Sequence, residues 1–130
     1  YECTYLEEVK LGNSVRSIGD NAFMLCKSLG SVTLPNSIIS IGTGAFISCT
    51  SLGSVTLPDS IISIGTGAFS SCTDLKSVTI PSSVQTIGAN AFHFGFGVEN
   101  KQLVELHYTG TQEQWDELKE KMILKIKIPC

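Results

Sequence analysis

The stretch LGSVTLPNSIISIGTGAFISCTS, residues 29–51, is followed at once by a near copy of itself in residues 52–74. The two copies differ at three positions: Asn36/Asp59, Ile47/Ser70 and Ser51/Asp74. A fixed period in this range is the signature of a solenoid, in which each unit buries its apolar side only by stacking on its neighbours. The sequence therefore predicts a coil of stacked repeats.

The same 23-residue period continues on both sides of this pair. Aligned columns hold one residue type each: Leu6, Leu29, Leu52, Leu75; Val9, Val32, Val55, Val78; Ile18, Ile41, Ile64, Ile87; Gly19, Gly42, Gly65, Gly88; Phe23, Phe46, Phe69, Phe92; Cys3, Cys26, Cys49, Cys72. We predict one domain over 1–130, with a truncated repeat tail at 1–5, four repeats at 6–97, and a last strand and C-terminal cap at 98–130. Since the chain begins in mid-repeat, we expect a longer parent protein, with any targeting segment upstream, and fraying or adventitious packing before Val9.

Each unit opens Leu-x-x-Val-x-Leu/Ile, where apolar side chains alternate with small polar ones, as in a strand. Proline ends this strand in three units, at Pro35, Pro58 and Pro81. A second short extended piece follows, and residues 44–49 are long enough for only one helical or 3₁₀ turn. Stacked units bring equivalent strands together in parallel, so each column becomes a row of like side chains.

Three rows have predicted structural roles. The Phe row forms the spine of the core, and the Ser row (Ser14, Ser37, Ser60, Ser83) satisfies backbone groups left at the bend. Stacking would point the Cβ atoms of the Cys row in parallel, which is a poor geometry for disulfides. The 23-residue spacing of the cysteines also lacks the closely spaced ligand pairs of zinc sites. We therefore predict buried structural thiols at Cys26, Cys49 and Cys72, while the redox state of Cys130 stays open.

The C-terminal segment departs from the period. Leu103, Leu106 and Tyr108 predict a last strand, and Thr111-Gln-Glu-Gln114 is a capping box that opens a short helix. This helix carries Trp115, Leu118 and Met122 on one side, with Trp115 as its anchor in the core. Leu124, Ile126 and Ile128 alternate with two lysines and predict a strand. The segment is interpreted as a cap over the open end of the coil.

Composition argues against several functions. The net charge of −3 provides no overall positive potential that would attract nucleic acid. No apolar run approaches the roughly 18 residues of a membrane-spanning helix. No nucleophile–base pair, carboxylate pair or metal-ligand cluster occurs at a meaningful spacing, so we predict no catalysis, no cofactor and no metal. His93 is interpreted as a solvated surface residue.

The unit Leu-x-x-Val-x-Leu-Pro-x-Ser-Ile-x-x-Ile-Gly-x-x-Ala-Phe-x-x-Cys resembles the BspA-like class of leucine-rich repeats. The segment 108–115, Tyr-Thr-Gly-Thr-Gln-Glu-Gln-Trp, resembles a terminal segment of such proteins from gut and oral bacteria. The resemblance implies a curved, right-handed leucine-rich-repeat solenoid with short β or 3₁₀ segments on its convex side. It also implies a secreted or cell-surface bacterial protein, commonly in adhesion or host contact.

The outward strand columns form the candidate binding surface, on the concave face. The predicted ligand-binding residues are Glu8, Lys10, Ser31, Thr33, Ser54, Thr56, Ser77, Thr79, Glu105 and His107. These rows lack aromatic side chains on which sugars or bases could stack, so they do not suit carbohydrate or single-stranded nucleic acid. The curvature of a leucine-rich-repeat solenoid also disfavours binding to a flat ice surface. We predict a non-catalytic adhesion module that contacts another protein, host or bacterial. The alternative, favoured by the near-identical repeats, is a passive spacer or stalk that presents another domain.

Overall fold

The computed structural model describes residues 3–92 and 105–126, and it shows two strands in each predicted repeat. The longer strands are β1 (Glu8–Lys10), β3 (Ser31–Thr33), β5 (Ser54–Thr56) and β7 (Ser77–Ile80). The shorter strands are β2 (Ser17–Ile18), β4 (Ser40–Ile41), β6 (Ser63–Ile64) and β8 (Thr86–Ile87). Strand β9 (Glu105–Tyr108) and helix α1 (Gln112–Ile126) follow.

All strand pairs are parallel, and paired strands of the repeats lie one period apart in the sequence. The shorter strands form one four-stranded sheet in the order β2-β4-β6-β8. The longer strands form two sheets, β1-β3 and β5-β7-β9. The predicted parallel solenoid is therefore confirmed, but the expected unbroken row of longer strands is interrupted between β3 and β5.

The turns at residues 42–49 differ from the predicted helical turn. Gly44 has a left-handed φ of 63°, and Ser48 has a φ of 60°. Left-handed residues interrupt a right-handed helix, so the chain makes successive β-turns closed by N–H groups that donate to the third residue back. The same two slots are left-handed in the other repeats, at Asn21, Leu25, Gly67, Ser71 and Asn90. Between these turn bonds, the N–H of Phe46 donates to the Ala68 oxygen of the next repeat at 2.8 Å.

A row of phenylalanine rings forms the spine of the core, as predicted. Successive ring centroids from Phe23 to Phe92 lie 5.2, 5.2 and 5.4 Å apart, with planes within 11° of parallel. The two inner rings, Phe46 and Phe69, are 1% and 0% exposed, whereas the two outer rings are half-buried. Each inner ring therefore depends on both of its neighbouring repeats for burial.

The Ser and Cys rows join successive repeats through backbone carbonyls. The hydroxyls of Ser37, Ser60 and Ser83 donate to carbonyl oxygens of the preceding repeat at 2.5–2.6 Å. The thiols of Cys49 and Cys72 are buried and donate at 3.1 Å to the phenylalanine carbonyl of the preceding repeat. Both rows thus satisfy polar groups at the repeat junctions, as the sequence predicts for serine.

The ionisation of the buried thiols gives a testable pH dependence. Burial, helped by the neighbouring thiol of the preceding repeat, raises the pKa of both Cys49 and Cys72 to about 12. An unfolded thiol has a pKa near 8.5, so the unfolded state loses its protons first as the pH rises. We expect the thiol contribution to stability to be complete below about pH 8.5 and to be lost progressively up to about pH 12.

Denaturant titrations across this range should show that the free energy of unfolding falls less with pH in the Cys49→Ala/Cys72→Ala variant than in the wild type. Lysines and tyrosines titrate in both proteins, so the difference between them reports the two thiols. In native protein at neutral pH, iodoacetamide should label the exposed Cys3 before either buried thiol. Rapid native labelling of Cys49 would contradict this account.

The C-terminal helix begins with the predicted capping box. The Gln114 N–H donates to the Thr111 hydroxyl at 3.1 Å, and the Thr111 N–H donates to the Gln114 side-chain oxygen at 2.8 Å. On the helix, Leu118 is 4% exposed, and Trp115 is half-buried against the core with its ring centroid 5.2 Å from that of Tyr108. These contacts agree with Trp115 as the anchor of the cap.

The predicted strand over residues 124–128 is wrong in its described part, because α1 runs to Ile126. No glycine or proline lies between Gln112 and Ile128, and extending a helix costs far less than starting one. Helix propagation therefore outweighs the two-residue alternation. Met122 lies on this helix, and the predictions for His93, Leu103, Ile128 and Cys130 fall outside the described residues.

The candidate strand-face binding surface

The predicted outward positions of β1, β3, β5, β7 and β9 are called here the strand face. The register places equivalent positions side by side, as the sequence predicts. One row contains Glu8 beside Ser31, and Ser54 beside Ser77 and Glu105. The second row contains Lys10 beside Thr33, and Thr56 beside Thr79 and His107. The ten predicted residues therefore lie at equivalent positions of two in-register ladders, β1-β3 and β5-β7-β9.

The centre of the strand face carries neutral hydroxyl groups. The side chains of Ser31, Thr33, Ser54 and Thr56 are exposed, and those of Ser77 and Thr79 are half-buried. At the outer strands Glu8, Lys10 and His107 are exposed. The surface is therefore uncharged in the middle and bears ionisable groups at its margins, so its centre suits hydrogen bonding more than charge pairing.

The strand face is divided between β3 and β5. At the β1–β3 junction the Gly30 N–H donates to the Glu7 oxygen, and at the β5–β7 junction the Lys76 N–H donates to the Gly53 oxygen, both at 2.9 Å. Between β3 and β5, both of which lie within the described range 3–92, the equivalent bond from Gly53 to Gly30 is not formed.

Side-chain burial changes at the same junction. Val32 on β3 is half-buried, whereas Val55 and Val78 in its column are 4% and 0% exposed. Leu34 is also half-buried, whereas Leu57 in its column is 3% exposed. Leu11, in the first repeat, is half-buried as well, so Val32 is the side chain whose greater exposure coincides with the break.

A cavity of about 420 Å³ lies at this break. Its lining residues are Ser31, Val32, Thr33, Leu34, Asn36, Ser54, Thr56 and Pro58. Val32, Leu34, Asn36 and Pro58 were not predicted as site residues. The strand residues do not mark this junction, because β3 and β5 carry the same Ser-Val-Thr as the paired residues of β5 and β7. The opening is called here the β3–β5 cleft.

Other surfaces show less organisation. Ile39 and Ile62 directly precede the shorter strands β4 and β6 and are 39% and 41% exposed. Two cavities of about 320 and 220 Å³ lie beside α1. Within residues 3–92 and 105–126, no group of three His, Cys, Asp or Glu side chains could hold a metal ion. No helix in that same part of the chain is long and apolar enough to cross a bilayer.

A parallel coil with one ordered outward surface and a capped end defines a repeat scaffold of the leucine-rich type. The profile of the BspA type leucine rich repeat region matches residues 1–108, with six copies of the repeat. The chain belongs to this family, as its repeat unit predicts. Leucine-rich-repeat solenoids typically act as non-enzymatic scaffolds that bind proteins.

The solved structures that resemble this chain include three leucine-rich repeat proteins. A leucine-rich cell surface protein from Faecalibacterium prausnitzii is 36% identical, with a TM-score of 0.81 over 88% of this chain and 29% of its own. The leucine-rich repeat protein of T. pallidum is 35% identical, with a TM-score of 0.75 over 82% of this chain and 58% of its own. A leucine-rich repeat protein from Bacteroides ovatus is 31% identical, with a TM-score of 0.72 over 85% of this chain and 32% of its own.

These relatives are longer than the sequence compared with them. The chain spans 29%, 58% and 32% of their respective lengths. None of the curated proteins compared with this chain matches it. The comparisons therefore support a repeat module related to bacterial cell-surface proteins.

Proposed function

We propose that this chain is a non-catalytic protein-contact module of a secreted or cell-surface bacterial protein, with the strand face as its contact surface. The observation that carries the proposal is the pair of in-register outward rows on the strand face. Hydrogen-bonded ladders hold these side chains in a fixed arrangement, which reduces the entropy lost when a partner binds.

The relatives support the proposed location. One of them is described as a cell surface protein, and the family match covers most of the chain. The hydroxyl rows favour a neutral, hydrogen-bonding partner surface, since no charged side chain interrupts the centre of the strand face. We therefore infer adhesion or attachment to another protein, on a host cell or another bacterium.

The second candidate function is a spacer that presents another domain. Residues 29–51 and 52–74 differ at three positions, whereas a binding surface usually diversifies its outward residues. Stacked rings and the bonds from Ser60 and Cys72 also join the repeats through their interior. A spacer needs this continuity but makes no use of the outward rows.

Replacing Thr33, Thr56 and Thr79 with lysine should separate the two functions. The first two are exposed and the third is half-buried, so we expect the fold to survive while three positive charges disrupt the neutral surface. If the strand face binds, adhesion of the parent protein should fall at least about tenfold, or ~1.4 kcal/mol. The control variant places lysine at the exposed residues Ile39, Ile62 and Gln85, which directly precede strands of the other sheet, β2-β4-β6-β8.

Both variants should first be shown to fold by circular dichroism and thermal melting. Unchanged adhesion in a folded strand-face variant would favour the spacer. An equal loss in both variants would point to added charge rather than to the surface.

A further inference from the structure

We propose that the cavity of about 320 Å³ between the last repeat and helix α1 binds an arginine side chain of a protein partner. This inference rests on the proposed function in taking the partner to be a protein, and it places a second contact outside the strand face. The cavity is called here the cap cleft. Six of its lining residues carry the argument: Ser82, Val84, Gln85, Gln114, Glu117 and Leu118.

The cap cleft has two walls, which come from different elements. Residues 82–85, which lead into β8, form one wall, and α1 forms the other. Gln114, Glu117 and Leu118 share one face of the helix, because they lie three and four positions apart. Val84 and Leu118 are each 4% exposed and provide a buried apolar base. The polar lining side chains are exposed on both walls: Ser82 and Gln85 on the repeat, Gln114 and Glu117 on the helix.

The polar side chains of the two walls do not bond to each other. Within residues 3–92 and 105–126, the side chains of Ser82, Gln85 and Glu117 form no hydrogen bond or ion pair. The side-chain oxygen of Gln114, by contrast, accepts from the Thr111 N–H in the capping box. A hydroxyl, an amide and a carboxylate therefore line one cavity with their hydrogen-bonding capacity available to a ligand.

The charge of the lining favours a cation. Glu117 contributes a carboxylate, and no lysine, arginine or histidine lines the cap cleft. An anion would be repelled by this carboxylate, whereas a cation would form a charge-assisted hydrogen bond with it. A positively charged group is therefore the complementary ligand.

Arginine matches the whole cavity better than a compact cation does. Its apolar stem can cover the base formed by Val84 and Leu118 while its charged head stays near the rim. The guanidinium has five donors in a planar fork, so it can bond to Glu117 and to an acceptor on the opposite wall together. The volume of about 320 Å³ lies at the lower end of the roughly 300–1,000 Å³ of ligand pockets, which suits one side chain.

The repeat sequence changes where the cap cleft forms. The position of Gln85 is occupied by Ile39 and Ile62 in the two middle repeats, and both isoleucines are exposed. Because the coil accommodates an exposed isoleucine in this column, packing within the repeats does not require a glutamine. Gln85 instead supplies an acceptor to the cavity that Glu117 lines.

The first test uses a defined probe, the acetylated and amidated tripeptide Gly-Arg-Gly, with the full chain. Amide NMR shifts should saturate with a dissociation constant of about 1–10 mM and concentrate in residues 82–85 and 114–118. The same tripeptide with citrulline in place of arginine keeps the shape without the charge, and it should bind at least about fivefold more weakly. Raising the salt from about 0.05 M to about 0.5 M should also weaken the arginine peptide.

The second test changes each wall separately. Glu117→Gln keeps the shape of an exposed side chain and should lower the affinity at least about fivefold. Glu113→Gln removes the same charge from the same helix outside the lining, so it should change the affinity less than about twofold. Gln85→Ile should lower it at least about threefold, since the second acceptor is lost. The reciprocal change one repeat away, Ile62→Gln, should leave it within about twofold.

Three results would overturn the cap cleft. They are no saturable shift at about 50 mM peptide, equal affinity for the citrulline peptide, and equal losses in Glu117→Gln and Glu113→Gln. These measurements do not involve the strand face, so either site can fail while the other stands. The lysine control for the strand face includes Gln85, and Glu117→Gln in the parent protein therefore measures how much of any adhesion loss in that control comes from the cap cleft.

Discussion

Replacing Phe46 with alanine is expected to lower the free energy of unfolding by about 3–5 kcal/mol. The ring is 1% exposed and stacks between Phe23 and Phe69, with centroids 5.2 Å away on each side. Its loss leaves a void that the rigidly spaced neighbouring repeats cannot close, because their backbones are joined by hydrogen bonds. Urea or guanidinium unfolding, monitored by circular dichroism, measures the change.

The matched control is Phe23→Ala. Phe23 occupies the same column but is half-buried and stacks on one described ring, Phe46. Its removal should cost less than that of Phe46, since it had less contact to lose. Because a solenoid transmits damage to adjacent units, hydrogen exchange should accelerate in both repeats flanking Phe46→Ala. A wild-type-like melting curve for Phe46→Ala would show that the stacked row is not the core.

The rows of the solenoid could be predicted from sequence because one period specifies them. Once equivalent strands pair in register, Phe46 must lie over Phe69 and Ser37 near the preceding bend, whatever the details of the turns. The register from Ser77 to Glu105 was also predictable, although these two residues are not one period apart. Side-chain alternation identifies the outward positions even where spacing fails.

Other features are not encoded in a form that sequence patterns reveal. The strands on both sides of the β3–β5 cleft read Ser-Val-Thr, and so do the paired residues of β5 and β7, so the strand residues do not distinguish the two junctions. The helical turn was mispredicted because Ser48 adopts a left-handed φ, which serine seldom does without surrounding constraint. At the end of α1, a short alternation containing Leu124 was outweighed by the cooperativity of the helix.

The ligand cannot be read from the repeat pattern, because that pattern reflects the contacts between neighbouring repeats. Phe69, Ser60 and Cys72 all contact the preceding repeat, and this shared requirement explains why one residue type fills each column. The outward threonines have no such internal requirement. Their chemistry limits the kind of partner but does not identify one.

A second large effect is expected at the repeated glycine that begins each turn. A Cβ on Gly65 would lie 2.6 Å from both the carbonyl carbon of Gly42 and the amide nitrogen of Thr43. These are backbone atoms of the preceding repeat, so the two repeats would have to separate to admit a methyl group. Separation would strain the bond from the Gly65 N–H to the Ile41 oxygen, now 2.8 Å long. We expect Gly65→Ala to cost at least about 1–3 kcal/mol by denaturant unfolding.

Gly19→Ala provides the control, because Gly19 holds the same place in the first repeat and a Cβ there would have no atom within 4 Å. Neither glycine has a positive φ, so both changes carry the same small backbone preference for alanine. The difference between the two variants therefore measures the close approach of successive repeats alone. Gly19→Ala should stay within about 0.5 kcal/mol of wild type. Equal effects at the two positions would mean that the repeats stand further apart than the hydrogen-bonded turns require.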